Sequence, residues 1–291
     1  MIKDRNGKII KEKSGKTSLY FLYNTIPGRC VLKVLVNPAI SKAAGRFLNT
    51  KYSCFLIKPF IKKSKIDMSE YEKCEFKSFN QFFKRKIKRS ARKMTRDKNM
   101  FISPADSKLS VYKISEDSLF KIKGSVYSTA DFLNNEELAR EYDNGYCMIF
   151  RLAVDDYHRY CYIDDGTKEK NIYIKGELNT VRPLALEYCE VYKRNAREYT
   201  VLHTENFDDV IQTEVGAMFV GRIKNKHGKA SFKRGHIKGY FEYGGSTIVL
   251  MVKECIVKID DDILKNSEED VETRVKIGET IGRKADRAAL S

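Results

Sequence analysis

Residues 244–247, Gly-Gly-Ser-Thr, stand directly before an apolar run from Ile248 to Val252. The run predicts a buried strand, with Ser246 in the turn that leads into it. A serine after a glycine can bring its hydroxyl onto the preceding carbonyl, because glycine has no Cβ to obstruct it. Attack there would convert the Gly245–Ser246 peptide into an ester, given a base for the hydroxyl proton and stabilisation of the oxyanion. The plain alternative is an ordinary turn.

The best candidate for the base is His158, one of four histidines in the chain. It lies in DDYHRYCYIDDG, where four aspartates flank it, and an imidazole near carboxylates suits acid–base work. A single histidine is nevertheless more often structural. Asp106, in SPADS, is predicted in a turn, where an aspartate commonly caps main-chain amides. His227 and His236 are predicted in loops.

The charge of the chain is concentrated in its first third. The net charge is +16, yet residues 1–100 hold 26 Lys and Arg against 7 Asp and Glu. This asymmetry favours an anionic partner, either nucleic acid or an anionic membrane surface. The seven cysteines are scattered and include no CxxC pair, which indicates reduced thiols and predicts neither a disulfide framework nor a metal site.

The composition and the hydrophobic pattern of the sequence change near residue 100. Phe79, Phe82, Phe83 and Ile87 have helical spacing among basic residues, so residues 1–100 are predicted to form a basic, mostly helical, membrane-associating region. The Phe stripe would face either lipid or the main domain. Residues 101–291 contain short β-branched and aromatic segments between turns, with a helix predicted within 129–145, capped by Thr129 or Asp131. The predicted fold class is α+β, a mostly antiparallel β core with inserted helices.

Six segments in order resemble the pyruvoyl-dependent phosphatidylserine decarboxylases of the short bacterial type. They are FNQFFKRKIK, SPADSKLS, KGSVYS, DDYHRYCYIDDG, EVGAMFVGRI and KGYFEYGGSTIVLMV, and the resemblance as a whole covers about residues 75–283. The last is the most specific, because this family cleaves itself between the Gly and Ser of that tetrapeptide.

The resemblance implies which residues act. Ser246 would be the nucleophile of self-cleavage and the source of a covalent pyruvoyl cofactor. Cleavage between Gly245 and Ser246 would give a β chain of residues 1–245 and an α chain of residues 246–291. Asp106 and a histidine of the YHR segment would complete a charge relay that activates Ser246, on the logic of a serine–histidine–aspartate triad.

The sequence departs from the family pattern at two positions. Cys161 stands where the family often has a second histidine, and Ser107 stands where it has glycine. Three alternatives follow for the base: His158 serves alone, another histidine such as His203 takes part, or Cys161 acts as a weak base. A neutral imidazole accepts a proton near pH 7 more readily than an unperturbed thiol, which favours His158.

The resemblance implies decarboxylation of phosphatidylserine to phosphatidylethanolamine and CO₂, through a Schiff base with the pyruvoyl group and without a metal. The expected location is the cytoplasmic side of the cell membrane, peripherally bound to anionic lipid, with the two chains of one precursor associated and a homodimer left open. The competing hypotheses are a basic nucleic-acid-binding protein and a non-catalytic membrane-binding module. Both predict an intact chain.

Overall fold

A computed structural model describes residues 1–10, 25, 27–28, 38–92, 94–122, 125–176, 195–216, 223–225, 228–244 and 246–286. Within these residues the α-helices are α1 (Pro38–Leu48), α2 (Ile57–Ser64), α3 (Phe79–Phe83), α4 (Thr129–Leu133), α5 (Glu136–Arg140) and α6 (Asp261–Glu268). Short 3₁₀ helices lie at Lys51–Leu56, Met68–Glu70 and Arg89–Ala91. Gly245, His227 and most of the apolar segment between Thr17 and Ile40 lie outside the described residues.

The strands of the first half of the chain are β1 (Ile2–Lys3), β2 (Met100–Ile102), β3 (Ser107–Lys113), β4 (Leu119–Ile122), β5 (Ser125–Ser128), β6 (Tyr146–Leu152), β7 (Arg159–Cys161), β8 (Gly166–Lys168) and β9 (Ile172–Ile174). Those of the second half are β10 (Arg197–Thr204), β11 (Asp209–Val215), β12 (Ile223–Asn225), β13 (Ala230–Phe232), β14 (Ile237–Phe241), β15 (Ser246–Val252), β16 (Val257–Ile259), β17 (Glu272–Val275) and β18 (Thr280–Lys284). The predicted α+β class is confirmed.

Most strands join one ten-stranded sheet, in the order β1-β17-β3-β6-β15-β11-β10-β8-β13, with β9 also paired to β10. Every pair in it is antiparallel except β1 with β17. The apolar run after Gly-Gly-Ser-Thr forms the central strand β15, of which all seven residues are buried. A strand covered on both faces reads as a continuous apolar run, which is why the sequence predicted this one correctly.

A smaller sheet holds the backbone of His158, whose side chain contacts β15. Strands β12, β14 and β7 form it, and β7 begins at Arg159, the residue after His158. The main-chain N–H of Phe241 on β14 donates to the carbonyl of His158 at 2.9 Å, so β14 fixes the histidine backbone as well. The remaining described strands form the sheet β16-β18-β2 and the hairpin β4-β5.

The aromatic stripe of the basic region faces the protein and not lipid. Phe82 and Phe83 are fully buried, and Phe79 is nearly so. Helix α3 also ends at Phe83, earlier than the spacing predicted, because the chain then extends so that Ile87 forms an isolated bridge with Tyr71. The core-facing alternative for the stripe is therefore the correct one.

The helix predicted within residues 129–145 is two short helices, α4 and α5. Ser128 caps the first, its hydroxyl accepting from the N–H of Asp131, so neither Thr129 nor Asp131 is the cap. Asn134 then adopts a left-handed φ of 51°, and Asn135 caps the second helix by accepting from the N–H of Leu138. Two adjacent asparagines, which tolerate the left-handed region and cap helices well, explain the break.

Two further features concern the N-terminal region. Strand β1 pairs with β17, so the first residues of the chain belong to the main sheet. None of the helices among the described residues is both long and apolar enough to cross a membrane.

A buried ion pair lies inside the β core. The Lys238 ammonium contacts both carboxylate oxygens of Glu214, at 2.7 and 2.9 Å, and both side chains are fully buried. Burial raises the pKa of the Glu214 carboxyl, and the Lys238 charge counteracts this shift. Asn225 and Gln212 donate to the same carboxylate, so its oxygens are well satisfied. Removing one partner would leave an uncompensated charge in a dry interior.

We expect Lys238→Met to lower the free energy of unfolding by about 3–5 kcal/mol, the usual cost of breaking a buried pair. Urea unfolding of the Ser246→Ala chain, with and without Lys238→Met, measures the difference. The matched control is Lys98→Met, whose partner Glu205 lies 3.3 Å away with both side chains at least half exposed. It should cost under about 1 kcal/mol. Equal effects of the two substitutions would contradict the prediction.

Candidate active site

Ser246 is the first residue of β15 and is fully buried. Strand β15 pairs with β6, where Leu152 lies opposite Ser246, and on its other side with β11, where the pairing begins at Thr247. Two residues before Ser246, Gly244 has φ +142°, a backbone conformation that residues with a side chain rarely adopt. The tight entry into β15 therefore requires glycine at position 244.

The Ser246 hydroxyl lies 3.3 Å from Nδ1 of His158. The other ring nitrogen, Nε2, lies 2.9 Å from the carbonyl oxygen of Ala153. A carbonyl oxygen only accepts, so Nε2 carries the hydrogen of a neutral ring and Nδ1 is left with a lone pair. The hydroxyl then donates to Nδ1, which is the arrangement in which an imidazole removes a proton from a serine.

His158 is enclosed by aromatic rings. The Phe83 ring centroid lies 4.1 Å from the imidazole centroid, and the Phe241 ring meets the imidazole edge-on at 6.5 Å. The pKa of His158 is lowered to about 3, chiefly by burial and also by the positive charges of Arg85 and Lys108, while the bond to Ala153 acts in the opposite direction. The imidazole is therefore neutral, and able to act as a base, throughout the physiological pH range.

Helix α3 ties the N-terminal region to the turn before Ser246. Its N-cap is Ser78, whose hydroxyl accepts from the N–H of Gln81. The side-chain oxygen of Asn80 accepts from the main-chain N–H of Tyr243 at 3.1 Å, and the Tyr243 ring packs on Phe79 and Phe83. One short helix thus covers His158 and also holds the approach to the Gly-Gly-Ser turn.

The chain is similar to known proteins over most of its length. The family model described as phosphatidylserine decarboxylase matches residues 79–283. The chain is 52% identical over 281 residues to phosphatidylserine decarboxylase proenzyme 2 of Clostridium acetobutylicum, covering 96% of each chain. It is 43% identical over 284 residues to the phosphatidylserine decarboxylase proenzyme of Ruminiclostridium cellulolyticum, covering 96% of this chain and 95% of that protein.

The chain belongs to the phosphatidylserine decarboxylase family. The predicted family is thereby confirmed, and with it the class of enzyme, a carboxy-lyase. The match begins at Phe79, the first residue of α3, and ends within β18. The part of the chain characteristic of the family therefore includes the helix that encloses His158. The nucleic-acid-binding and non-catalytic hypotheses are not supported.

Asp106, the predicted relay carboxylate, lies at the start of β3 beside Arg92. Its carboxylate accepts from Arg92 at 2.6 and 3.3 Å and from the main-chain N–H of Ile277 at 2.8 Å. Within the described residues, no hydrogen bond joins Asp106 to His158. The structure thus brings Ser246 and His158 together and leaves Asp106 in a separate ion pair; its assignment to the relay stays a prediction.

The alternatives to His158 lie elsewhere. Cys161 is buried with its sulfur 4.0 Å from the carbonyl of Ser103, and burial raises the pKa of its thiol to about 12. His203 is on β10, which β11 separates from β15, and it binds the Asp209 carboxylate at 2.6 Å. His236 is exposed in the turn before β14. Of the histidines within the described residues, only His158 contacts Ser246.

The sequence did not reveal the groups that orient the imidazole. The Ala153 carbonyl carries no side-chain signal, and Asn80 is an unremarkable polar residue in an aromatic helix.

We expect Phe83→Ala to raise the pKa of His158 from about 3 toward the ordinary value, because water would reach the ring. An NMR titration of the histidine ring resonances in the Ser246→Ala chain measures this shift. The matched control is Phe207→Ala, which removes an equally buried ring that packs on Phe101. A His158 pKa that rises equally in both variants, or in neither, would contradict the prediction.

Proposed function

We propose that this chain decarboxylates phosphatidylserine to phosphatidylethanolamine and CO₂, using a pyruvoyl group that it makes from its own Ser246. The observation that carries the proposal is the buried contact between the Ser246 hydroxyl and Nδ1 of a neutral His158, at a serine preceded by two glycines. The relatives named above are called proenzymes, which fits a chain that must be processed before it acts.

Self-cleavage starts with the serine as nucleophile. The Ser246 Oγ attacks the carbonyl carbon of Gly245 while Nδ1 of His158 takes the hydroxyl proton. The bond between the Gly245 carbonyl and the nitrogen of residue 246 breaks, and that nitrogen receives the proton. An ester then links Gly245 to the Ser246 side chain.

The second stage separates the two chains. Loss of the α-proton of residue 246 and cleavage of its Cβ–O bond release Gly245 as a carboxylate and leave dehydroalanine. Water converts the enamine of dehydroalanine to a ketone, and the nitrogen leaves as ammonium, which takes up the proton lost from the α-carbon; this gives the pyruvoyl terminus of residues 246–291. Each atom is accounted for by the chain and one water molecule.

The neutral state of His158 bears on how the proton moves. Because burial lowers the pKa of His158 to about 3, the imidazolium is disfavoured, and we infer that the proton taken from the hydroxyl is passed on to the departing nitrogen. The proton donor and the proton acceptor are both atoms of residue 246, whose hydroxyl lies 3.3 Å from Nδ1. The proposed acyl shift therefore uses His158 as its single base.

The surroundings of residue 246 fit a covalent pyruvoyl group. The residue is fully buried and lies opposite Leu152 of β6, so a ketone formed there would be kept from bulk water. The chemistry that such a group supplies is that of an electron sink for the bond broken when CO₂ leaves. His158, whose Nδ1 faces residue 246, is the group placed to hold a proton beside it.

We expect the purified wild-type chain to consist of two fragments that divide between residues 245 and 246, the smaller one blocked by a pyruvoyl group. Intact mass spectrometry detects both. Ser246→Ala should remain a single chain, because it lacks the nucleophile. The processed enzyme should release CO₂ from vesicles that contain phosphatidylserine, and the Ser246→Ala chain should not. An intact wild-type chain, or processing without decarboxylation, would contradict the proposal.

We further propose that the 3₁₀ helix Lys51–Leu56 and its neighbours bind an anionic membrane surface. Phe47, Tyr52 and Phe55 are large apolar side chains that are 47%, 71% and 67% exposed. Lys51 and Lys58 are exposed beside them. Aromatic residues flanked by lysines suit the boundary between lipid head groups and acyl chains, where each cation is worth about 1 kcal/mol.

A hydrogen bond and a ring contact connect this surface to the active site. Ser53, in the same 3₁₀ helix, accepts a hydrogen bond from the main-chain N–H of Phe79 at 2.9 Å. Phe79 begins helix α3, whose last residue covers His158. These contacts connect the exposed aromatics to the helix that covers His158. The cytoplasmic side of the membrane and a homodimer stay predictions.

We expect Phe47→Ser/Tyr52→Ser/Phe55→Ser to weaken binding to vesicles of phosphatidylserine and phosphatidylcholine at least tenfold, because their apolar area no longer enters the interface. Vesicle co-sedimentation measures the partition. The control is Ile172→Ser/Tyr173→Ser on β9, which removes residues that are 50% and 62% exposed on the main sheet. If the control weakens binding as much as the triple variant, the assigned surface is wrong.

A further inference from the structure

In the turn that follows β6, Asp156 makes two hydrogen bonds to Ala153. The main-chain N–H of Asp156 donates to the Ala153 carbonyl at 3.0 Å, and its carboxylate accepts from the Ala153 N–H at 2.7 Å. The same Ala153 carbonyl accepts the Nε2–H of His158. Asp156 thus fixes the direction of the carbonyl that selects the tautomer of the histidine.

Asp156 is itself anchored by a buried lysine. Lys108 Nζ lies 2.5 Å from the Asp156 carboxylate, and the two side chains are only 8% and 9% exposed. Lys108 is on β3 and lies opposite Arg151 of β6. It therefore reaches Asp156 from β3, while the turn that contains Asp156 follows β6. The carboxylate cannot rotate away without leaving two charges unpaired in a nearly dry environment.

We propose that Asp156, anchored by Lys108, is the positioning residue for His158 in self-cleavage. It holds the Ala153 carbonyl against Nε2, which keeps Nδ1 free of hydrogen and directed at the Ser246 hydroxyl. The inference rests on the proposed function of Ser246 and His158. In a triad, a carboxylate bound directly to the histidine ring fixes its tautomer and orientation. Here the Asp156 carboxylate would do the same through the main-chain carbonyl of Ala153.

The position of Asp106 supports this choice. Its charge is matched by Arg92 and its oxygens are also bound by a main-chain N–H, so it has no contact with the imidazole among the described residues. A main-chain carbonyl orients the ring without placing a negative charge beside it. That agrees with a histidine buried in its neutral form.

The test compares two double variants that differ in one hydrogen-bond acceptor. Lys108→Met/Asp156→Asn retains an oxygen that can accept the Ala153 N–H, and Lys108→Met/Asp156→Ala does not; both remove the ion pair. The first-order loss of the full-length chain is followed after cell-free synthesis. We expect the alanine variant to cleave at least tenfold more slowly than the asparagine variant, because its imidazole samples the wrong tautomer. Equal rates would overturn the proposal.

The matched control is Asp165→Ala. Asp165 also accepts from a main-chain N–H, that of Arg234 at 2.8 Å, and also pairs with a lysine, Lys233 at 3.2 Å, but it does not contact His158. Its loss should leave the cleavage rate within about twofold of wild type. A loss as large as that of the Asp156→Ala double variant would mean that cleavage responds to any broken turn, which would also overturn the proposal.

A second readout does not require cleavage. In the Ser246→Ala chain, ¹⁵N chemical shifts of the histidine rings report which nitrogen of His158 carries the hydrogen. We expect Asp156→Ala to convert a single Nε2–H form into a mixture and Asp106→Asn to leave that form in place. The opposite pattern would assign the orienting role to Asp106. A wild-type chain that never cleaves would refute the proposed function, while these shifts would still decide the role of Asp156.

Discussion

The hydrogen bond from the Ser246 hydroxyl to Nδ1 of His158 places a strict requirement on the rest of the site. It exists only if the ring is neutral and its single hydrogen is on Nε2. Neutrality comes from burial, to which the Phe83 and Phe241 rings contribute, and the position of the hydrogen comes from the Ala153 carbonyl. Helix α3, the turn after β6 and strand β14 all contact His158. Together they set the protonation state of its imidazole.

The same requirement explains how the nearby charges are arranged. Asp156 is paired with Lys108, Asp106 with Arg92, and Glu214 with Lys238. None of these three carboxylates hydrogen-bonds to the imidazole among the described residues, so none of them stabilises an imidazolium by direct contact. Arg85, buried against Tyr71 and Phe82, adds a further positive charge that disfavours protonation of His158. An unpaired carboxylate beside the ring would raise its pKa and would favour the charged form instead.

The sequence predicted those parts that depend on local pattern. The central strand β15 follows from its apolar run, and the order of the motifs identified the family. The patterns failed where the answer depends on a distant partner. Helical spacing places Phe79 and Phe83 on one face but does not say that His158 covers that face. The sequence shows Asp106 but not that Arg92, fourteen positions earlier, pairs with it, so its part in a relay stays a prediction. A main-chain carbonyl such as that of Ala153 leaves no trace in the sequence at all.

The cysteine at position 161 is consistent with a site built around one histidine. Its thiol is buried among Tyr71, Tyr157 and Ile277, where the charged form is strongly disfavoured. A second imidazole in that place would require a hydrogen-bond partner of its own, or would remain a buried polar group without one. A thiol fills the space as a small apolar group and makes only a weak contact with the Ser103 carbonyl. In the proposed acyl shift the proton donor and the proton acceptor are both atoms of residue 246, which is why we assign that step to His158 alone.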